Sequence, residues 1–368
     1  KKLPQWAADS GIKYPPHISM EQCSSEQTAT YKANVAQRLI NKLQIDGKSV
    51  LVDLTGGLGV DFSYMARHFG QAVYVERQNH LCELAQHNIS VLGISQAEVV
   101  CADSEQFMGK MGHVTMIFAD PARRDSHGGR TFAVADCTPD VLAMRDEMLA
   151  KADFVMLKLS PMLDWHKTVA DFGSCVGEVH IVSAGNECKE LLLVMSARFD
   201  GLTSVTCVND GSIFSYNPQT DIQRNITDED GTGDDAGGNS SRAPLNLQPG
   251  MSLYEPNPSV MKAGCFGRME AAFGARQISR DSHLFVSEQR ADGFPGRAFV
   301  IKAISSMNRK ELKKALGNTG KANITTRNFP MKAEELRKRL KLGDGGNCYI
   351  MATTTADGSH VLIICAKE

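Results

Sequence analysis

The chain has 368 residues, of which 42% are hydrophobic and 22% charged, which is ordinary composition for a globular protein of two or three domains and excludes a fibre or a disordered tail. No apolar run approaches the roughly 20 residues that cross a bilayer, so a membrane span is not expected. The net charge of -2 hides a basic stretch from Met251 to Lys341, with 18 Lys and Arg against 8 Asp and Glu, which points to an anionic partner there.

In chain order, Met20 to Leu43 reads as one amphipathic helix. Ser24 and Gln27 fit a capping box, and Tyr31, Val35, Leu39 and Leu43 recur every fourth residue. From Ser49 onward short apolar runs alternate with helical stretches: Val50 to Asp53, Ala72 to Glu76, Glu98 to Asp103, Thr115 to Asp120, Phe154 to Leu159, Val179 to Ser183 and Leu191 to Ser196. Seven such runs predict an α/β fold with a mostly parallel sheet covered on both faces. Thr203 to Val208 and Ile213 to Tyr216, joined through Asn209, Asp210 and Gly211, predict a hairpin that closes the sheet.

Thr227 to Arg242 is acidic and glycine-rich, carries too few apolar residues for a core, and reads as a mobile loop at a domain boundary. Beyond it Asn308 to Leu316 and Pro330 to Leu342 read as helices, the second with Glu334 facing Lys338 and Glu335 facing Arg339. Cys348 to Thr354 and Val361 to Cys365, around Asp357-Gly358, predict a final hairpin.

The ten cysteines form no Cys-x-x-Cys pair and no cluster with His, which predicts reduced thiols in a cytoplasmic protein and no metal site. There is no Pro-Cys dipeptide, so a cysteine nucleophile is not expected. The first residue is Lys1, with neither Met nor a signal peptide, and residues ahead of it are expected in the natural protein.

Chemistry concentrates at Val50-Leu51-Val52-Asp53-Leu54-Thr55-Gly56-Gly57-Leu58-Gly59-Val60-Asp61, an apolar strand, a glycine turn and a helix start. Glycines let backbone N–H groups approach a ligand, and a helix N-terminus favours negative groups. A dinucleotide fingerprint would need glycine where Phe62 stands, and a phosphate-binding P-loop would need Gly-Lys-Ser or Gly-Lys-Thr, which is missing. Asp53 ends the first strand. Glu76 ends the second, where a carboxylate can hold ribose hydroxyls, and Asp103 ends the third, where it can accept the amine of adenine. These acids in this order suit S-adenosylmethionine, with Thr28, Thr55, Gly56, Gly57, Gly59, Asp61, Arg77, Ser104 and Asp120 as further cofactor contacts.

The fourth strand runs into Asp120-Pro121-Ala122-Arg123-Arg124-Asp125. This resembles the Asp-Pro-Pro-Tyr motif of class I methyltransferases, with Ala122 and Arg123 in place of the second proline and the aromatic. Together with Cys23-Ser24-Ser25-Glu26-Gln27-Thr28-Ala29, Lys158-Leu159-Ser160-Pro161 and Tyr254-Glu255-Pro256-Asn257-Pro258, the chain is similar over nearly its whole length to bacterial methyltransferases with a ferredoxin-like insert and a THUMP-like C-terminal domain. More distantly, it is similar to RNA methyltransferases of the trimethylguanosine synthase type.

The resemblance implies a Rossmann-like seven-stranded class I methyltransferase domain with an N-terminal helix over residues 1–245, a small ferredoxin-like insert over 246–295, and a THUMP-like, RNA-binding module over 296–368. It further implies in-line methyl transfer to structured RNA, with Asp120, Pro121 and Arg123 at the reacting centre and Arg124, Lys158 and Ser160 toward the substrate. Two alternatives stand beside this reading: an inactive cofactor-binding protein that holds RNA, and a methyltransferase of a protein or small molecule. Arg123 and Arg124 steer an anion in the first reading; on the bland one they pair with Asp125 or Asp136 on the surface. Lys158 either faces the pocket or snorkels at the sheet edge.

Overall fold

The computed structural model describes residues 2–15, 23–44, 47–123, 134–220 and 245–368, and divides into two compact units, Lys1–Gln219 and Thr220–Glu368. The acidic loop expected at 227–242 lies outside the described residues.

Unit one is built on β1 (Val50–Asp53), β2 (Gln71–Glu76), β3 (Ala97–Cys101), β4 (Val114–Ala119), β5 (Ala122–Arg123), β6 (Cys137–Thr138), β7 (Ala152–Leu159), β8 (Val176–Ala184), β9 (Glu187–Met195), β10 (Ser204–Asn209) and β11 (Ser212–Tyr216). Among the described residues its large sheet has nine strands in the order β11-β10-β8-β9-β7-β4-β1-β2-β3. These are the seven expected strands of the Rossmann-like methyltransferase sheet, extended by the expected hairpin. β9 runs antiparallel to both neighbours, whereas β3, β2, β1, β4 and β7 are parallel. The two short strands β5 and β6 pair separately, opposing Ala122 to Thr138 and Arg123 to Cys137.

The central strands are apolar on both faces because both faces are covered. Leu51, Tyr74, Met116, Phe118 and Met156 pack against Ala36, Leu39 and Ile40 of the helix Glu26–Leu43 and against Phe62, Met65, Ala85 and Ile89. That helix begins later than expected. Ser25, with extended backbone, accepts the N–H of Thr28 and is the cap, so the capping box does not involve Ser24 and Gln27. One residue further out, Ser24 donates its hydroxyl to Asp61 at 2.7 Å, and the Gln27 amide reaches Asp210 at 2.9 Å. Residues 20–22 of the expected helix lie outside the described residues.

Strand order reverses between β1 and β4: the chain moves one way through β2 and β3, and the other way through β4 and β7. Open α/β sheets hold ligands at the carboxyl ends of strands flanking such a switch point. The Asp53 and Asp120 backbones leave the sheet on either side of it.

Unit two contains β12 (Ser252–Pro256), β13 (Arg276–Gln277), β14 (Phe285–Ser287), β15 (Gly296–Ser305), β16 (Asn323–Arg327), β17 (Cys348–Thr354) and β18 (His360–Lys367), in the order β13-β14-β12-β15-β18-β17-β16. Successive residues point to opposite faces and feed two cores. Ile363 and Cys365 join Leu253 and Phe299, while Leu362 and Ile364 join Ile324 and Leu336. The last helix spans Ala333–Leu340, shorter than the expected 330–342, and among the described residues neither Glu334–Lys338 nor Glu335–Arg339 forms an ion pair. Such exposed pairs gain little in water, and Arg337 instead meets Asp344 at 2.6 Å. Among the described residues no helix is long and apolar enough to cross a membrane, no disulfide forms, and no group of His, Cys, Asp or Glu could hold a metal.

Candidate functional site

The glycine turn is shaped from below by Tyr74. Its ring lies so close to Gly56 that a Cβ there would stand 2.2 Å from it, and its hydroxyl donates to the carbonyl of Gly57. Gly57 and Gly59 have φ of +54° and +79°, a region L side chains rarely adopt. Gly59 starts the helix Val60–Met65, and the Gly57 N–H donates to Glu76 at 3.1 Å. The turn therefore presents backbone, with no side chain, at the ends of β1 and β2.

Asp53 is buried at the end of β1 and accepts the Thr55 N–H at 2.9 Å. Burial pushes its carboxyl up to about 8 against that hydrogen bond, and the nearby Asp61 and Asp120 add to the rise. Thr55 links the two sides of the switch point, because its hydroxyl oxygen accepts the Asp120 N–H at 2.6 Å. Glu76, buried at the end of β2, accepts from Gly57 and from the Gln78 N–H at 2.9 Å. Neither Asp53 nor Glu76 has a cationic partner among the described residues.

The remaining expected residues divide by what they hold. Asp103 caps the helix Ser104–Lys110 through one oxygen, accepting the N–H groups of Glu105 and Gln106, and Ser104 donates to the Leu54 carbonyl at 2.6 Å. Thr28 is buried and bonds back to Ser25, while Arg77 is exposed after β2. Pro121 is buried, and Ser160 accepts the Met162 N–H at 3.3 Å. Arg123 stands in β5, its backbone opposite Cys137 of β6, and Arg124 lies outside the described residues.

Lys158 does not snorkel: it is 13% exposed and forms an ion pair with Asp120. Burial works against its charge, but Asp120, Asp61 and Glu190 outweigh burial and hold the ammonium above the usual lysine range. Beneath this pair lies a second buried cation. Lys32 is fully buried and reaches Glu190 at 2.6 and 2.7 Å, Asp61 at 3.1 Å and Ser24 at 3.3 Å. Asp61 thus has two holders, and the start of the helix Val60–Met65 is tied to the N-terminal helix and to β9. Lys32, Glu190 and Tyr74 were not expected from the sequence. The available signal was a charge inside an apolar stripe, Lys32 between Ala29 and Ala33, and Glu190 at the head of Leu191-Leu192-Leu193-Val194.

Together these groups gather acids at the carboxyl ends of adjacent strands around the glycine turn, an arrangement suited to a ligand that carries a cation and several hydroxyl or amine donors.

The comparisons agree with this architecture. A THUMP domain-like family matches residues 296–367, and a ferredoxin-like domain family matches 253–295. The crystal structure of a "putative methyltransferase" from Porphyromonas gingivalis W83 is 32% identical over 100% of this chain and 86% of its own, with a TM-score of 0.83. Two others are similar over part of the chain: a "putative class I S-adenosylmethionine-dependent methyltransferase" from Listeria monocytogenes (12% identity, 57% of this chain and 72% of that one, TM-score 0.40) and an "rRNA methylase" from Streptococcus thermophilus (13%, 44% and 94%, TM-score 0.33). Neither of these two carries an argument about this chain. Comparison with curated proteins finds no match. With shared sequence over its full length and both C-terminal domains matched, the chain belongs to the family of the Porphyromonas gingivalis protein, in which a class I methyltransferase fold is followed by ferredoxin-like and THUMP-like domains.

Proposed function

We propose that unit one binds S-adenosylmethionine and transfers its methyl group to structured RNA. The observation that carries the cofactor reading is the set of acids Asp53, Glu76, Asp103 and Asp120 at the ends of four adjacent strands, around a turn that only glycine can line. The residues fit the group: Asp53, buried without a counter-cation, suits a ligand ammonium, Glu76 suits a ribose diol, and the open oxygen of Asp103 suits an adenine amine.

When bound, the cofactor supplies a methyl group on an electrophilic sulfonium. The protein's work is then alignment, which can supply much of the rate in a displacement of this kind. Asp120 and the Pro121 carbonyl both accept hydrogen bonds and would orient an acceptor N–H or O–H, while Lys158 fixes the Asp120 carboxylate. Arg123 and Arg124 would steer a phosphate toward it. Domain limits at 245 and 296 are part of this reading, as is a cytoplasmic location.

A cation entering beside Asp53 favours its ionised form. At pH 7 a carboxyl with a pKa of about 8 is mostly protonated, so binding is expected to release close to one proton, and progressively less as pH rises through about 8. The sign for stability follows from the same shift: because Asp53 is raised, the cofactor-free protein loses stability as pH rises from about 4 through about 8. Calorimetric titration of S-adenosylmethionine in two buffers of different ionisation heat measures the release. Absence of binding, or a proton release unchanged in Asp53→Asn, would overturn the assignment.

RNA as substrate is supported by unit two, where Arg309, Lys310, Lys313, Lys314, Lys332, Lys338, Arg339 and Lys341 are all exposed. If some six phosphates are neutralised, RNA affinity should fall by about 10³-fold between 50 and 200 mM salt. Filter binding of unmodified ribosomal and transfer RNA transcripts reads this directly. Binding independent of salt would remove RNA from the proposal and leave the cofactor assignment intact.

A further inference from the structure

On the sheet face beside the helix Glu26–Leu43 there is an open groove of about 350 Å³, formed wholly within unit one, with Asn34, Arg38, Ile213 and Ser215 exposed along it. Its wall is one stripe of the helix Glu26–Leu43, namely Tyr31, Asn34, Val35 and Arg38, spaced as i, i+3, i+4 and i+7. Its floor is made by β8, β10 and β11. Strand register sets Glu178 beside Ser204, and His180 beside Thr206 and then Ser215, so a row of hydroxyls crosses the sheet. None of these residues belongs to the site at the ends of β1, β2 and β4.

The hydrogen bonding inside the groove is directional. Glu178, 9% exposed, accepts from Arg38 through both oxygens and from Lys42 at 3.4 Å. Its other neighbour is the buried His180, whose Nε2 lies at 3.3 Å. A carboxylate there can only accept, so His180 carries its proton on Nε2, and Nδ1 accepts from the Tyr31 hydroxyl at 2.8 Å. The Tyr31 oxygen is then left facing the groove as an acceptor. Burial raises Tyr31 well above the usual phenol range and lowers His180, so the row holds neutral partners and is not a proton relay.

The remaining capacity is mostly for donation. Arg38 spends two of its five N–H groups on Glu178 and keeps three. The Asn34 amide and the Ser204 hydroxyl have no partner among the described residues, and Thr206 and Ser215 share one hydrogen bond between their two hydroxyls. Two cations meet one carboxylate: Arg38 lines the site, and Lys42, one helical turn further on and outside the lining, reaches Glu178 at 3.4 Å. A groove of this size is at the small end of ligand sites.

We infer that this groove is a second binding site, taking a sugar phosphate: the phosphate on the free N–H groups of Arg38, with Lys42 at the margin, and the sugar hydroxyls on Asn34, Ser204, Thr206, Ser215 and the Tyr31 oxygen. The same ribose phosphate chemistry occurs in a free metabolite and along an RNA backbone, and the test separates them.

The full chain, with S-adenosylmethionine at saturation to fill the cofactor site, is titrated calorimetrically with ribose 5-phosphate and, separately, with an abasic ribose-phosphate oligomer. Saturable binding of either is expected, weakened at least tenfold both in Arg38→Met and in Asn34→Asp. The second change lies on an exposed helix position and sets a negative charge against the anion without disturbing the core. Preference for the monomer assigns the site to a metabolite; preference for the oligomer assigns it to nucleic acid. No saturable binding of either probe by the wild type at millimolar concentration, or equal binding by Asn34→Asp, overturns the proposal.

Discussion

Lys32→Met is expected to cost about 3–5 kcal/mol of stability, because it removes the cation from a buried carboxylate, Glu190, and from a largely buried one, Asp61. Glu190 is 2% exposed and Asp61 is 11% exposed. In a unit of this size that loss lowers the melting temperature by roughly 10 °C, measurable by thermal unfolding. The deficit should grow with pH. Burial already raises Glu190, and without Lys32 only Lys158 is left to oppose it, so the folded variant holds a proton the unfolded chain releases. A group raised in this way stabilises at low pH and ceases to do so as pH climbs through its folded value. The double variant Lys32→Met with Glu190→Leu removes the stranded charge with its partner and should recover most of the loss, Asp61 keeping Ser24. A single variant that melts within about 2 °C of the wild type would mean that the buried pair is dispensable.

The second large effect concerns turnover. Asp120→Ala should lower methyl transfer to unmodified RNA transcripts by about 10²–10⁴-fold, the range typical of a lost proton acceptor or orienting group. S-adenosylmethionine affinity should change by no more than a few-fold, because the other three acids, Asp53, Glu76 and Asp103, keep their own hydrogen bonds. Lys158 loses its nearest counter-charge but retains the influence of Asp61 and Glu190, so folding should survive. The check is single-turnover transfer of a labelled methyl group beside calorimetric affinity for the cofactor. Undiminished transfer removes Asp120 from the reaction, and a parallel collapse of affinity makes it a cofactor residue only.

Much of the sheet was legible because buried strands announce themselves as apolar runs, and the acids that end them stand out against that background. Asp53, Glu76 and Asp120 were found in this way. The rest was hidden for a physical reason in each case. Lys32 looks like any cation on an amphipathic helix, since which side of a helix is buried depends on a partner about 160 positions away, Glu190. Ser24 and Ser25 are equally good caps by type, and backbone angles decide between them. Tyr74 reads as a sheet aromatic; its second task, closing the space under Gly56, exists only because β2 lies beside β1 in register. The groove beside the helix Glu26–Leu43 has no motif at all, being assembled from a helix and three strands spread over residues 31–215.

The sheet of unit two crosses the line between its two family matches. β12, from the ferredoxin-like segment, pairs along its length with β15 of the THUMP-like segment, from Ser252 opposite Val300 to Pro256 opposite Gly296. A fragment cut at Gly296 would therefore bare a long row of unpaired N–H and C=O groups on β15, flanked by Phe299 and Ile301, which the intact protein buries. Bare edges of that kind recruit further strands, so such a fragment should self-associate in place of behaving as a small soluble RNA-binding domain. The two segments, separable in name, have to be expressed, moved and inherited as one piece.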